Sequence, residues 1–273
     1  MKAFRSSLLV GAALVLGSVV TANAADLGFP RGPSMKDTYM PAPVSVPRWY
    51  MRIDGGYAWH DDPSILEAGI YDLVHNGIDP TWTLGGGFGY YFTQNIRGDL
   101  TFDYRFQTDV KGFNSDVTAP FGGGYRVMPL KSTVYLANLY YDFDRTARIS
   151  PYVGIGLGFV HHKTGKGSVT DACGCVGEID GASSTDVAGA LMAGFTFNLA
   201  SLRHQPAYST KDGIVAAPSS RLLLDVGYRF LYLGETHTGV IRGTSPAGPV
   251  GGDPDIKSIH AHELRVGLRW NLQ

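Results

Sequence analysis

Between Trp49 and Leu272 the chain switches repeatedly between runs in which apolar and polar residues alternate and stretches rich in Gly, Pro and Asp. A period of two is the mark of a strand with unlike faces. No convincing 3.6-residue pattern intervenes, so the spacing predicts an all-β single domain. The clearest run is about Ile96 to Phe106, where Ile96, Leu100, Phe102, Tyr104 and Phe106 alternate with Arg97, Asp99, Thr101, Asp103 and Arg105. Before it, at about Thr81 to Phe92, Trp82, Leu84, Phe88, Tyr90 and Phe92 oppose Thr83, Gly85, Gly87 and Gly89. Only Thr93, Gln94 and Asn95 separate these runs, which makes them a hairpin.

Six further runs obey the same rule. The first strand, about Trp49 to His60, sets Trp49, Met51, Ile53, Tyr57 and Trp59 against Arg52 and Asp54. The fourth, about Thr133 to Phe143, sets Tyr135, Leu139, Tyr141 and Phe143 against Asn138, Tyr140 and Asp142. Pro151 to His161 places Val153, Ile155, Leu157 and Phe159 opposite Gly154, Gly156 and Gly158. About Asp186 to Leu199, Val187, Leu191, Phe195 and Phe197 oppose Met192, Thr196 and Asn198. The seventh, Arg221 to Leu233, separates Leu222, Leu224, Val226, Tyr228 and Phe230 from Asp225 and Arg229. The last, about Ala261 to Leu272, separates Leu264, Val266, Leu268, Trp270 and Leu272 from Glu263, Arg265, Arg269 and Asn271.

Connections from odd to even strands take roughly 20 to 25 residues, while two of the three even-to-odd connections take about three to seven. That asymmetry marks a transmembrane β-barrel. The long connections are expected at residues 61–80, 107–131, 162–185 and 234–259, as extracellular loops. The third turn, 200–220, breaks the rule and reads either as a periplasmic insertion or as a miscounted strand.

Alternation alone does not say which face is inside, because a soluble barrel has the same period with reversed polarity. The charges decide it. Arg52, Asp54, Arg97, Asp99, Asp103, Arg105, Asp142, Asp225, Arg229, Glu263, Arg265 and Arg269 all fall on the polar faces, and the apolar faces carry none. After fitting one phase per strand, that agreement is a roughly one in a hundred coincidence. A water-facing sheet would carry lysines, yet all the lysines fall outside these strand cores. Arginines balanced by carboxylates suit a closed interior instead, where each ion needs a partner and Arg offers a bidentate fork. The expected fold is a closed antiparallel transmembrane β-barrel of eight strands, with Trp49, Trp59, Trp82, Tyr141 and Trp270 as interfacial aromatics.

Composition agrees with this. Charged residues are 17% and Gly is 36 of 273, against roughly 25% and ~7% in average soluble domains. Lys2 and Arg5 precede an apolar run from Leu8 to Val20 that ends at Ala22, Asn23 and Ala24, the pattern of a cleaved signal peptide over residues 1–24. A Pro-rich periplasmic tail is expected over 25–48 and the barrel over 49–273. Cleavage takes two of the 23 basic residues, leaving 21 against 24 acids, about −3 net, which excludes a nucleic-acid partner. Cys173 and Cys175 flank Gly174 in an oxidising compartment; they can close on each other, pair between chains or bind metal, and the local disulfide is the first expectation.

In the last strand, Arg265, Gly267, Trp270 and Leu272 follow a polar, Gly, aromatic, hydrophobic spacing, with Gln273 where a terminal Phe is usual. From Trp49 onward the chain resembles the small outer-membrane barrels of the OmpA, OmpX and Opa kind, and looks closest to their alphaproteobacterial surface-protein branch. The resemblance implies that these four residues are read by the barrel-assembly machinery. It also implies outer-membrane lipid and lipopolysaccharide as surroundings, with host or environmental ligands for the loops. Envelope-stabilising or adhesive surface roles follow from it, with no cofactor.

Other chemistry is weakly signalled. His60, His161, His162, His260 and His262 gather at the predicted rim, but His60 and His262 have opposite parity, which argues against a shared metal. A lipid-hydrolysing barrel of this superfamily carries His and Ser two residues apart, and no histidine here is followed so. A small-solute channel competes with the structural reading, favoured by the room that glycine-lined faces would leave. Against it, eight strands enclose a lumen that side chains fill.

Overall fold

The computed structural model describes residues 48–272 apart from 68–70, 116–123, 146, 172–173, 200–208, 211–212, 215–220 and 244–253. The predicted signal peptide, nearly all of the Pro-rich tail and Gln273 lie outside the described residues. Eight strands form the wall: β1 Trp49–His60, β2 Thr81–Tyr91, β3 Ile96–Asn114, β4 Gly124–Asp142, β5 Ile149–Thr164, β6 Ser183–Asn198, β7 Leu222–Tyr232 and β8 His260–Leu272. Each pairs antiparallel with its successor, and β8 returns to β1 in register from Trp49↔Leu272 to His60↔Ala261. Closure leaves the wall without an open edge, so its backbone polar groups are satisfied without water.

The wall is inside out relative to a soluble barrel. Trp82, Leu100 and Leu157 point outward and are 66%, 69% and 70% exposed, while Arg97 and Asp103 point inward at 0%. A surface so apolar around an interior so charged is stable only with lipid outside; this is a closed antiparallel eight-stranded transmembrane barrel. Trp49, Tyr141 and Trp270 face outward near the end that carries the short turns. Trp59 and Trp82 face outward near the end that carries the long loops.

Two boundaries differ most from the sequence expectation, for different reasons. β3 continues to Asn114 rather than stopping near Phe106, because a bulge between Arg105 and Thr108 shifts the register against β4. An extra residue reverses the parity, so beyond the bulge Thr108, Val110, Gly112 and Asn114 are the buried set and the alternation read upstream no longer applies. β4 begins at Gly124 rather than Thr133, and in its added portion Met128 and Leu130 are buried inside the sheet. There apolar means inward, the reverse of the rule that located the other strands. β5 also runs on to Thr164, past its expected end at His161, so Lys111, Lys131 and Lys163 all sit on strands, in the parts that project beyond the predicted cores.

The stretches expected as loops contain further sheet. Val74–Ile78 pairs with β3, and Gly167–Asp171 pairs with β4. Val176–Ile179 joins Gly167–Asp171 on one side and Ile241–Gly243 on the other. Ser64–Glu67 pairs with Asp255–Lys257. Under this sheet Ile65, Leu73, Ile78, Val110, Met128, Val169, Ile179, Ile241 and Ile256 form one buried apolar cluster, continuous with Val134, Leu136, Val160 and Leu231 from the wall. In the long turn, Ser209–Thr210 pairs with Gly213–Ile214 as a separate short ladder, so the wall keeps eight strands.

Candidate functional site

The lumen near the short turns is an ion network assembled by strand parity. Every second residue of a strand points inward, so Arg52 and Asp54, then Arg97, Asp99, Asp103 and Arg105, deliver charges at successive depths. Arg97 donates through Nε to Asp142 at 3.1 Å, with its guanidinium 3.9 Å from the Tyr140 ring centre. Arg269 donates to Asp225 and Thr196 at 2.9 Å and to Tyr91 at 3.0 Å. Arg52 clamps Asp54 at 2.6 and 2.8 Å and reaches Asp99 at 3.1 Å.

Farther in, Asp103 receives Arg229 at 2.7 Å and Arg265 at 2.8 Å. Glu263 is met by Arg229 at 2.6 Å and by Arg105. Arg105 also donates to His60 at 2.8 Å, and since a guanidinium only donates, His60 accepts there as neutral imidazole. Each of the six carboxylates is thus held by an arginine. Arg229 and Arg265 reach Asp103, and Arg105 reaches Glu263, across the lumen, while most of the other pairs join adjacent strands or residues of one strand.

Tyr50, Tyr91, Tyr140, Thr196 and Asn138 are working members of the network that charge alone did not single out. Tyr50 donates to Asp99 at 3.0 Å and Asn138 to the same carboxylate at 2.8 Å. Their inward parity was the available signal. The glycine faces leave less room than expected from the sequence. A side-chain carbon added at Gly85 would strike the Asp103 carboxylate, at Gly89 the Tyr50 ring, and at Gly156 the Asn138 amide. These glycines admit a neighbour's bulk rather than a solute. A cavity of about 20 Å³ among Arg52, Asp54, Asn138, Asp225 and Arg229 is the size that holds about one water.

Toward the loop end the lumen turns apolar, around Val134, Leu136, Val160, Ala188 and Leu231. His162 lies within this part, donating through Nε2 to the Leu233 carbonyl at 2.8 Å and accepting from Ser132 at 2.7 Å. Of the rim histidines, His60 faces inward, whereas His262 faces outward, 5.8 Å from the Trp59 ring and 3.1 Å from Asp61.

On the final strand Arg265 points inward, Gly267 lies between Asp54 and Asp225, Trp270 is 54% exposed on the outer face and Leu272 is half-buried. Cys175 is disulfide-bonded, and Cys173, the only other cysteine of the chain, lies outside the described residues.

Residues 12–270 match the family described as outer membrane protein beta-barrel domain. The chain belongs to that family. Among relatives, an uncharacterized protein of Brucella abortus is 27% identical, covering 95% of each chain. Outer membrane protein PagN of Salmonella typhimurium is 24% identical over 55% of each, and a putative adhesin of Rickettsia felis is 30% identical over 40% of this chain and 48% of its own. Among solved structures, the outer membrane protein OprG from Pseudomonas aeruginosa is similar at a TM-score of 0.47 and 13% identity, over 83% of this chain and 98% of that one.

Proposed function

We propose that this family member is a non-enzymatic surface protein of the outer membrane, in which a plugged barrel holds a folded loop-end sheet outside the cell. In this reading both termini are periplasmic, residues 1–24 are the signal peptide, and the alphaproteobacterial surface branch is its home. Arg265, Gly267, Trp270 and Leu272 present the strand that the assembly machinery reads, lipopolysaccharide surrounds the wall, and Cys173 and Cys175 close a local ring. The loop-end sheet stabilises the envelope surface or engages host or environmental ligands, a role supported by likeness to the Rickettsia felis putative adhesin and by the tendency of binding function to sit on connections held by a rigid scaffold.

The observation that carries this reading is the filled lumen, with crossed ion pairs around a void of about 20 Å³. A small-solute channel has less in its favour, since the glycine-lined faces are occupied by Asp103, Tyr50 and Asn138. Planar-bilayer recording on the refolded protein tests the choice, with no stable conductance expected. Reproducible steps of uniform size would replace the structural role with a channel. Labelling of an epitope inserted at 244–253 on intact cells tests the orientation, and absence of label with the tag intact in lysates reverses it.

A further inference from the structure

Three cross-strand rows on the outer face of β4, β5 and β6 grade from apolar to cationic. The lowest joins Tyr135, Phe159 and Val187, with the two rings stacked at 4.8 Å. The next joins Thr133, His161 and Thr185, and His161 and Thr185 are hydrogen-bonded at 2.9 Å. The uppermost joins Lys131, Lys163 and Ser183. Both lysines are exposed, and among the described residues neither makes an ion pair. By contrast Lys111 is paired with Asp79 at 2.6 Å and Lys166 with Glu178 at 3.7 Å.

Like charges placed directly opposite each other across two strands destabilise the pair unless an anion lies between them. No carboxylate occurs in any of the three rows to serve as one. Height along the wall says what lies beside them. From Ile149 to Phe159, at about 3.4 Å per residue and a tilt of about 40°, the outward residues of β5 span roughly 26 Å, the thickness of the apolar band. The lysines therefore stand just past the band's edge, where aliphatic stems lie along apolar surface and the ammonium groups reach the headgroup layer.

We propose that the Lys131–Lys163 pair, with Thr133, His161 and Thr185 beneath it, is a binding site for the phosphate groups of outer-leaflet lipopolysaccharide. The proposal rests on the reading that the loop end faces outward and deepens it by placing a specific lipid contact on one side of the barrel. Acyl chains would lie against Tyr135, Phe159 and Val187 while the phosphate bridges the two ammonium groups.

The test uses the full mature chain refolded into phosphatidylcholine nanodiscs, which expose both membrane faces, so its result does not depend on orientation in the cell. Native mass spectrometry then measures retention of bisphosphorylated lipid A against the same lipid stripped of phosphate. The wild type should retain the phosphorylated lipid about tenfold better, a preference that weakens with salt. K131Q/K163Q should lose that preference, K131R/K163R should keep it, and K111Q should leave it unchanged. A heat-dependent band shift on SDS gels verifies that each variant is folded. Equal preference in the wild type and the folded K131Q/K163Q protein would overturn the site. So would lysine-dependent binding of soluble inositol hexakisphosphate without preference between the two lipids, which would make the pair a site for a free polyanion.

Discussion

Near the short turns the lumen is filled by Arg97, Arg269, Arg52 and their carboxylates, whereas beyond the apolar band the loop-end sheet encloses Met128, Leu130, Val169 and Ile179. One chain thus packs a single barrel with two kinds of core. Lipid surrounds the lower wall, so apolar residues there serve the outer face and the inward positions are left to polar groups, which are stable only when each ion is paired. Above the band the loop-end sheet stands in water, and its strands again bury apolar residues as a soluble protein does. The lower core consequently depends on complete ion pairing and the upper one on excluded apolar area.

The largest effect that would sharpen this contrast is expected from Asp103→Ala. It removes the carboxylate shared by Arg229 and Arg265 at 2.7 and 2.8 Å, and losing one partner of a buried pair costs about 3 to 5 kcal/mol. Urea titration of protein refolded in vesicles reads this as a lower midpoint; an unchanged midpoint would mean that the lower core does not depend on pairing.

Next comes Ile256→Ala, at a fully buried position paired with Ile65, where truncation costs about 2 to 5 kcal/mol. The loss should stay local. Amide exchange should quicken at Ser64–Glu67 and Asp255–Lys257 while the heat-dependent gel shift of the barrel is kept. Loss of the gel shift as well would show the two cores to be one cooperative unit.

The smallest effect belongs to Lys111→Gln, because the Lys111–Asp79 pair is half exposed at 51% and 47% and screened by water. Its midpoint should match the wild type. The hydrogen bond from Lys111 to Asp79 raises the ammonium pKa above the usual lysine value. The contribution is therefore full below the unfolded lysine pKa and fades only as pH rises through the folded one, which leaves the midpoint flat between about pH 5 and 9. A midpoint that moves within that range for the wild type but not for the variant would assign the loop-end sheet an electrostatic share.

Much of the wall was legible because a strand's parity is local. Arg97, Asp99, Asp103 and Arg105 lie two or four residues apart in one run, and that spacing alone puts them on one face. The continuation of β3 was not legible, since the bulge between Arg105 and Thr108 inverts the phase at the point where the reading stopped. Neither was the start of β4, where Met128 and Leu130 are apolar and inward, on a strand whose lower half is apolar and outward. Among the inward hydroxyls, Tyr140 stood on a face marked polar by Asn138 and Asp142, but nothing in the chain tied it to Arg52, which donates to it at 3.1 Å.

The sequence by itself determined the period, and with it the strands, the faces and the inverted polarity that requires lipid outside. Those properties depend on each residue and its neighbours one or two places away. Tertiary structure decided which charges meet and how the loops fold. Closing β8 onto β1 brings Glu263 across the lumen to Arg105, and sets Ile256 beside Ile65 in a sheet above the membrane. Such partners are separated by most of the chain, and no local pattern specifies the shear and closure that join them.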